Sequence, residues 1–128
     1  AIIVMDDSRS IVDIATNTAH FYAHESCGQC VPCREGTNWT HTLLHGLLKG
    51  EGTKRDIETA VSACNNMMGR TICVLSDACA MPVLSMLEKF KSEFMELAKD
   101  DSAVAPALPR VSGQATGLLK MIRDRQVR

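Results

Sequence analysis

Aromatic side chains are scarce in this 128-residue chain, where Phe, Trp and Tyr together make up 4%. A core with few large rings must rest on Leu, Ile, Val, Ala and Met, which suits helix packing better than a β-sandwich. Charge of one sign is lacking too. The formal net charge is −1, which argues against a nucleic-acid binder held by bulk charge. No apolar run approaches the length of a membrane-spanning helix, so the chain is not expected to span a membrane itself. The apolar start at residues 2–5 is too short for a secretory signal. No glycine-rich loop follows a strand pattern, so no dinucleotide-phosphate site is expected here. No nucleophile–base pair is evident either. Apolar residues make up 45%, enough for one small folded domain.

What the sequence does contain reads as helices. Ile2-Ile3-Val4 is β-branched and predicts a short strand, and Asp6-Asp7-Ser8 offers helix-capping chemistry. Ile11, Ala15, Thr18, Ala19 and Tyr22 then recur at helical spacing, predicting a first helix over 9–24. A loop over 25–31 precedes Pro32, which suits the first turn of a second helix. That helix has Trp39, Leu43, Leu44, Leu47 and Leu48 as its apolar face and ends at Gly50-Glu51-Gly52. Thr53 with Asp56 resembles a capping box. It opens a third helix whose stripe is Ile57, Ala60, Val61, Cys64, Met67 and Met68, and Gly69 ends it. Residues 70–80 read as a loop. A fourth helix is expected from near Pro82, with Val83, Leu87, Phe90, Phe94 and Leu97 as one seam. Met67, Met68, Met81 and Met86 read as core fillers. The sum is an all-α, four-helix bundle. Residues 101–128 read as a linker with two prolines, a short helix over 114–125 through Leu118, Leu119 and Ile122, and a basic tail. That tail is either simply solvated or a docking segment for an acidic partner.

Cysteine is the abundant residue with chemical meaning. Of six cysteines, Cys27, Cys30 and Cys33 fall within seven residues. Disulfides between such close neighbours are sterically poor, so reduced, metal-binding thiolates are the better reading. Two-residue spacers let a looping backbone set three sulfurs around one face, as a 4Fe-4S cluster requires, with the fourth ligand coming from elsewhere. Cys73 is the favoured candidate, in a loop between Ile72 and Val74. Cys79 lies six positions on in the same predicted loop. Cys64 is disfavoured because, on an apolar helix stripe, it reads as a small buried hydrophobe. Zinc is the competing metal, although its four-cysteine sites usually come as two separate pairs. Gly28 permits close backbone approach, and Arg34 is either a partner for cluster charge or a surface residue. His41 and His45, like His20 and His24, are one helical turn apart, but without an acidic partner they read as ordinary histidines. His24 lies close enough in sequence to line the cysteine loop. A cluster held by four protein thiolates has no open position for a substrate, which leaves electron transfer as its use.

The run from His24 through Cys27-Gly28-Gln29-Cys30-Val31-Pro32-Cys33 to Thr37 resembles the cluster motif of the NADH- and flavin-binding subunit of respiratory complex I. Related NAD-linked hydrogenases and formate dehydrogenases share this module. Residues 1–6 resemble the strand leading into that domain. Residues 69–78, followed by Pro82 and Val83, resemble the segment holding the fourth ligand, which that resemblance places at Cys73. The likeness covers about residues 1–99. It implies a helical bundle with one 4Fe-4S cluster on Cys27, Cys30, Cys33 and Cys73. The cluster would take electrons singly from FMN reduced by NADH and pass them to further iron–sulfur subunits of the complex.

The departures from the family pattern are specific. The FMN- and NADH-binding domain that precedes this region in the family is not in the chain. FMN and NADH are therefore expected on a partner chain or missing domain, and residues 2–4 would complete that partner's sheet by strand addition. The family usually has Gly at Ser76, and small residues and an aromatic at Cys79, Ala80 and Met81. No further cysteine motif follows, which favours the respiratory complex over the hydrogenases. The expected organisation is a strand stub over 1–8, a helical iron–sulfur domain over 9–100, and a linker and tail over 101–128. The expected place is the matrix side of the mitochondrial inner membrane, with a membrane-associated site in a bacterial cytoplasm as the alternative. Two other readings stay open: a structural zinc module for assembly, and a degenerate helical fragment without metal.

Overall fold

A computed structural model of the chain describes residues 2–100; the expected helix over 114–125 and the basic tail lie outside them. The described residues form five helices in order: α1 (Ile11–Glu25), α2 (Val31–Leu48), α3 (Lys54–Met67), α4 (Leu75–Lys89) and α5 (Lys91–Leu97). Ser10, rather than Asp6-Asp7-Ser8, caps α1, its hydroxyl accepting from the Asp13 amide at 3.4 Å. Asp6 instead folds a tight turn, accepting from the Ser8 amide at 3.1 Å. Pro32 lies in the first turn of α2 as expected. The capping box of α3 is complete: Asp56 Oδ2 accepts from the Thr53 amide at 2.7 Å, and Thr53 Oγ1 accepts from the Asp56 amide at 3.3 Å. Gly50 and Gly69, at φ +67° and +65°, end their helices in the left-handed region that only glycine enters freely.

The four long helices close into a ring. α1 packs on α2 and α4, α3 packs on the same two, and α2 meets α4 across the middle. Val12, Leu44, Leu47, Met67 and Val83 are fully buried between them. Gly36 lies against Met67, and Thr40 lies against Cys64. These pairings run in opposite directions along α2 and α3, so the helices are antiparallel. The α1–α2 loop and the α3–α4 loop therefore lie at the same end of the bundle. At the other end, Lys99 is tied to the start of α3, its amide donating to Gly52 O at 2.9 Å and its carbonyl accepting from Lys54 N at 3.2 Å. α5 also contacts α1, α2 and α4. It buries Phe94 and places Glu93 Oε2 3.4 Å from the Ile11 amide.

Five expectations need correction. First, no strand forms at residues 2–4; Ile2, Ile3 and Val4 are exposed and, among the described residues, no neighbouring strand offers them a ladder. Second, α4 starts at Leu75 and Pro82 lies inside it, so Cys79 is helical and not part of a loop. Third, the single seam from Val83 to Leu97 breaks at Phe90 (φ −116°, ψ 31°); this turn lets Phe94 enter the core while Phe90 and Leu97 stay partly exposed. Fourth, Trp39 is 60% exposed. The inward face of this half of α2 is made by Gly36, Thr37 and Thr40, whose hydroxyls return to the carbonyls of Cys33 and Gly36 at 2.8 Å. Fifth, Met81 is exposed, whereas Met67 is buried and Met68 and Met86 pack against the core.

Candidate metal centre

The cysteine triplet is held by a loop folded back on the first turn of α2. Gly28 takes φ +77°, which a Cβ would strain. Its amide donates to Ser26 Oγ at 3.3 Å, and its carbonyl accepts from Arg34 Nη1 at 2.7 Å. Ser26 Oγ also sits 3.4 Å from Cys33 Sγ. Cys30 is the N-cap of α2, and no side chain caps that helix start. Amides at a helix N-terminus carry partial positive charge, and Cys30 and Cys33 lie at that end of α2. The second loop is pinned as well. Gly69 N donates to Asp77 Oδ1 and Thr71 Oγ1 donates to Cys73 O, both at 2.8 Å. Cys73 precedes the N-cap of α4, another helix start without a side-chain cap. Ser76, where the family pattern has Gly, is fully buried with its hydroxyl paired to that of Thr71.

None of the six cysteines is in a disulfide. Cys27 and Cys73 are exposed, Cys30 is half-buried and Cys33 is buried, all at the same end of the bundle. Cys64 and Cys79 are fully buried on the inner faces of α3 and α4. Burial pushes the Cys79 thiol up to about 12, and the neighbouring Cys64 and Cys33 add to it. Burial also raises Cys64, against a smaller lowering from the Thr40 hydroxyl 3.6 Å away. Both sit on helix faces inside the bundle and read as core thiols. Of the three candidates for a fourth ligand, Cys73 alone lies in a loop and is exposed. Among the described residues, no three His, Cys, Asp or Glu side chains converge closely enough to hold a single metal ion. The triplet and Cys73 offer only thiols, a donor chemistry that suits soft iron–sulfur groups.

Some surroundings of the site were not legible beforehand. Ile72 and Val74, which flank Cys73, are 87% and 76% exposed, and Val31 beside the triplet is exposed too. His24 is exposed and pairs with Glu25 at 3.0 Å. His20, His41 and His45 form a row of rings, with centroids 4.9 Å and 5.6 Å apart, on the faces of α1 and α2. Their meeting across two helices leaves no mark in the spacing of either helix alone.

Residues 13–97 match the family described as the NADH-ubiquinone oxidoreductase-F iron-sulfur binding region. The chain is 43% identical over 103 residues to an NADH-quinone oxidoreductase subunit of Rickettsia conorii, across 80% of this chain and 24% of that protein. It is 42% identical over 93 residues to the mitochondrial NADH-ubiquinone oxidoreductase 51 kDa subunit of Neurospora crassa, across 73% of this chain and 19% of that protein. The chain thus spans about a quarter or less of the curated relatives it matches. Its fold resembles a crystal structure of an NAD+-reducing NiFe hydrogenase in the air-oxidized state. That likeness has a TM-score of 0.73 and 30% identity over 82% of this chain and 18% of that one. No helix among the described residues is long and apolar enough to cross a membrane.

Proposed function

Because the chain belongs to the family of the NADH-ubiquinone oxidoreductase-F iron-sulfur binding region, we propose that Cys27, Cys30, Cys33 and Cys73 hold one 4Fe-4S cluster. On this reading the chain is the electron-relay part of a complex I-type NADH dehydrogenase. One observation carries the assignment. Antiparallel packing of α2 and α3 brings the loop with three thiols and the loop with Cys73 to the same end of the bundle. When bound, such a cluster accepts and releases single electrons.

The chain's own residues would do the rest. The N-terminus of α2, whose first turn carries no acidic residue, would favour the negative charge of a bound cluster. Gly28 and Arg34 hold the loop in shape, and the bundle interior keeps water from Cys33. Hydrogen bonds and exposure at such a site set its potential. FMN and NADH would sit on a partner chain or on a domain outside this one. The exposed Val31, Ile72 and Val74 suit contact with such a partner, and Ile2-Ile3-Val4 can add to its sheet edge. Further iron–sulfur subunits of the complex would take the electrons onward. Relatives from a bacterium and from a mitochondrion support a place in either setting: the matrix side of the mitochondrial inner membrane, or membrane-associated in a bacterial cytoplasm.

The test is anaerobic reconstitution followed by iron analysis, visible absorption and electron paramagnetic resonance of the reduced protein. The expected result is a brown protein with about four irons per chain and a paramagnetic reduced state. Cys73→Ser should lose most of the iron, and Cys79→Ser should keep it. The reverse pattern would move the fourth ligand to Cys79. A colourless protein with one zinc per chain would replace the relay with a structural zinc module.

A further inference from the structure

A groove of about 580 Å³ runs between α3 and α4, away from the cysteine loops. Ile57, Val61, Leu84 and Leu87 form its apolar floor, and Glu58 and Glu88 stand on its rims, with Lys91 near the far end. Neither glutamate forms an ion pair with another described residue. The volume is in the range that accepts several aliphatic side chains.

We propose that this groove is the docking site of the chain's own C-terminal segment, residues 114–125. The proposal does not rest on the cluster assignment. Three observations support it. The chain is tied down beside the groove: Lys99 pairs with the backbone on either side of Thr53, and Lys54 bridges to Asp100, about one turn before Ile57 and Glu58. Residues 101–113 could span about 43 Å if extended, whereas the groove from Ile57 to Asn65 is only about 12 Å of helix. Reach is therefore no obstacle. The charges are complementary as well. From Arg110 to Arg128 the chain has Arg110, Lys120, Arg123, Arg125 and Arg128 against the single acid Asp124, facing a groove rimmed by Glu58 and Glu88. Finally, Leu118, Leu119 and Ile122 recur at helical spacing and form one apolar stripe, matching an apolar floor that is only half covered at Val61 and Leu84. Tethering makes the encounter intramolecular, at millimolar effective concentration, so a modest contact suffices.

Hydrogen–deuterium exchange on the full chain tests this at two protein concentrations. Amides of 116–125 and of the groove-facing turns of α3 and α4 are expected to exchange about tenfold more slowly than in the tail variant Leu118→Asp/Ile122→Asp. That variant leaves residues 2–100 unchanged. Glu58→Lys/Glu88→Lys should weaken the protection, and adding Arg123→Glu/Arg125→Glu should restore part of it. A free segment of this length is a marginal helix by itself, so protection reports docking. Exchange of 116–125 at open-chain rates in the full chain would overturn the proposal. So would protection indifferent to the groove charges, which would place the segment elsewhere. Protection that grows with protein concentration would assign the groove to a second copy.

Discussion

Cys79 is fully buried in α4, close enough to Cys64 and Cys33 for both to hinder its ionisation. A neutral thiol there acts as a small hydrophobe. Cys79→Ser puts a hydroxyl among apolar neighbours and is expected to destabilise the bundle by roughly 1–3 kcal/mol, read from the midpoint of anaerobic urea unfolding. His41 makes a different prediction. Partial burial, then the proximity of His20 and His45, holds its pKa below 6.5. The unfolded chain therefore binds a proton more readily than the folded one. Stability is full above about pH 6.5 and falls as the pH drops from there toward the folded-state value. The thermal midpoint should fall between about pH 7.5 and about pH 5.5, and His41→Gln should lose less than the parent. At this scale the cysteine triplet could be read directly, because its meaning lies in two-residue spacers. The exposure of Trp39 could not. Ranking by hydrophobicity places a Trp inside and threonines outside, but Thr37 and Thr40 satisfy their hydroxyls on the preceding turn and fit where a Trp would not.

Between elements, the contact that matters most is that of α2 with α3. A Cβ on Gly36 would lie 3.0 Å from Met67 Sδ and 3.2 Å from Met67 Cβ. The sulfur can swing aside, but the Cβ moves only with its helix. Gly36→Ala is thus expected to destabilise by about 1 kcal/mol net, overpacking outweighing the gain in helix propensity. The loss should shrink in a Met67→Ala background, as a double-mutant cycle in urea would show. The capping box at Thr53 and the glycine stops were legible because they are local signals. The start of α4 was misread for a similar reason: Pro82 gives a strong local N-terminal signal. A weaker pattern carried the right answer. Ser76, Cys79, Ala80 and Val83 stand at helical spacing, all buried, but they are too small to stand out as an apolar stripe.

For the whole molecule, the exposed segment at residues 2–4 and the exposed residues beside the cysteine loops belong to no part of the bundle's own core. Ile3→Lys is therefore expected to change stability by no more than about 0.5 kcal/mol in thermal unfolding, although it should weaken any strand addition to a partner. A larger loss would mean that this segment packs on the bundle. The sequence by itself determined that the chain is helical, where three of its helices begin or end, and that three thiols share one loop. Each of these is set by residues a few positions apart, where backbone preferences and short spacers act alone. Only the tertiary structure decided that the Cys73 loop shares an end with the triplet, that Cys79 is sealed in the core, and that three histidines meet. Those outcomes depend on the direction in which α2 and α3 pass each other and on which faces the ring of four helices closes over, and packing sets both between residues distant in the chain.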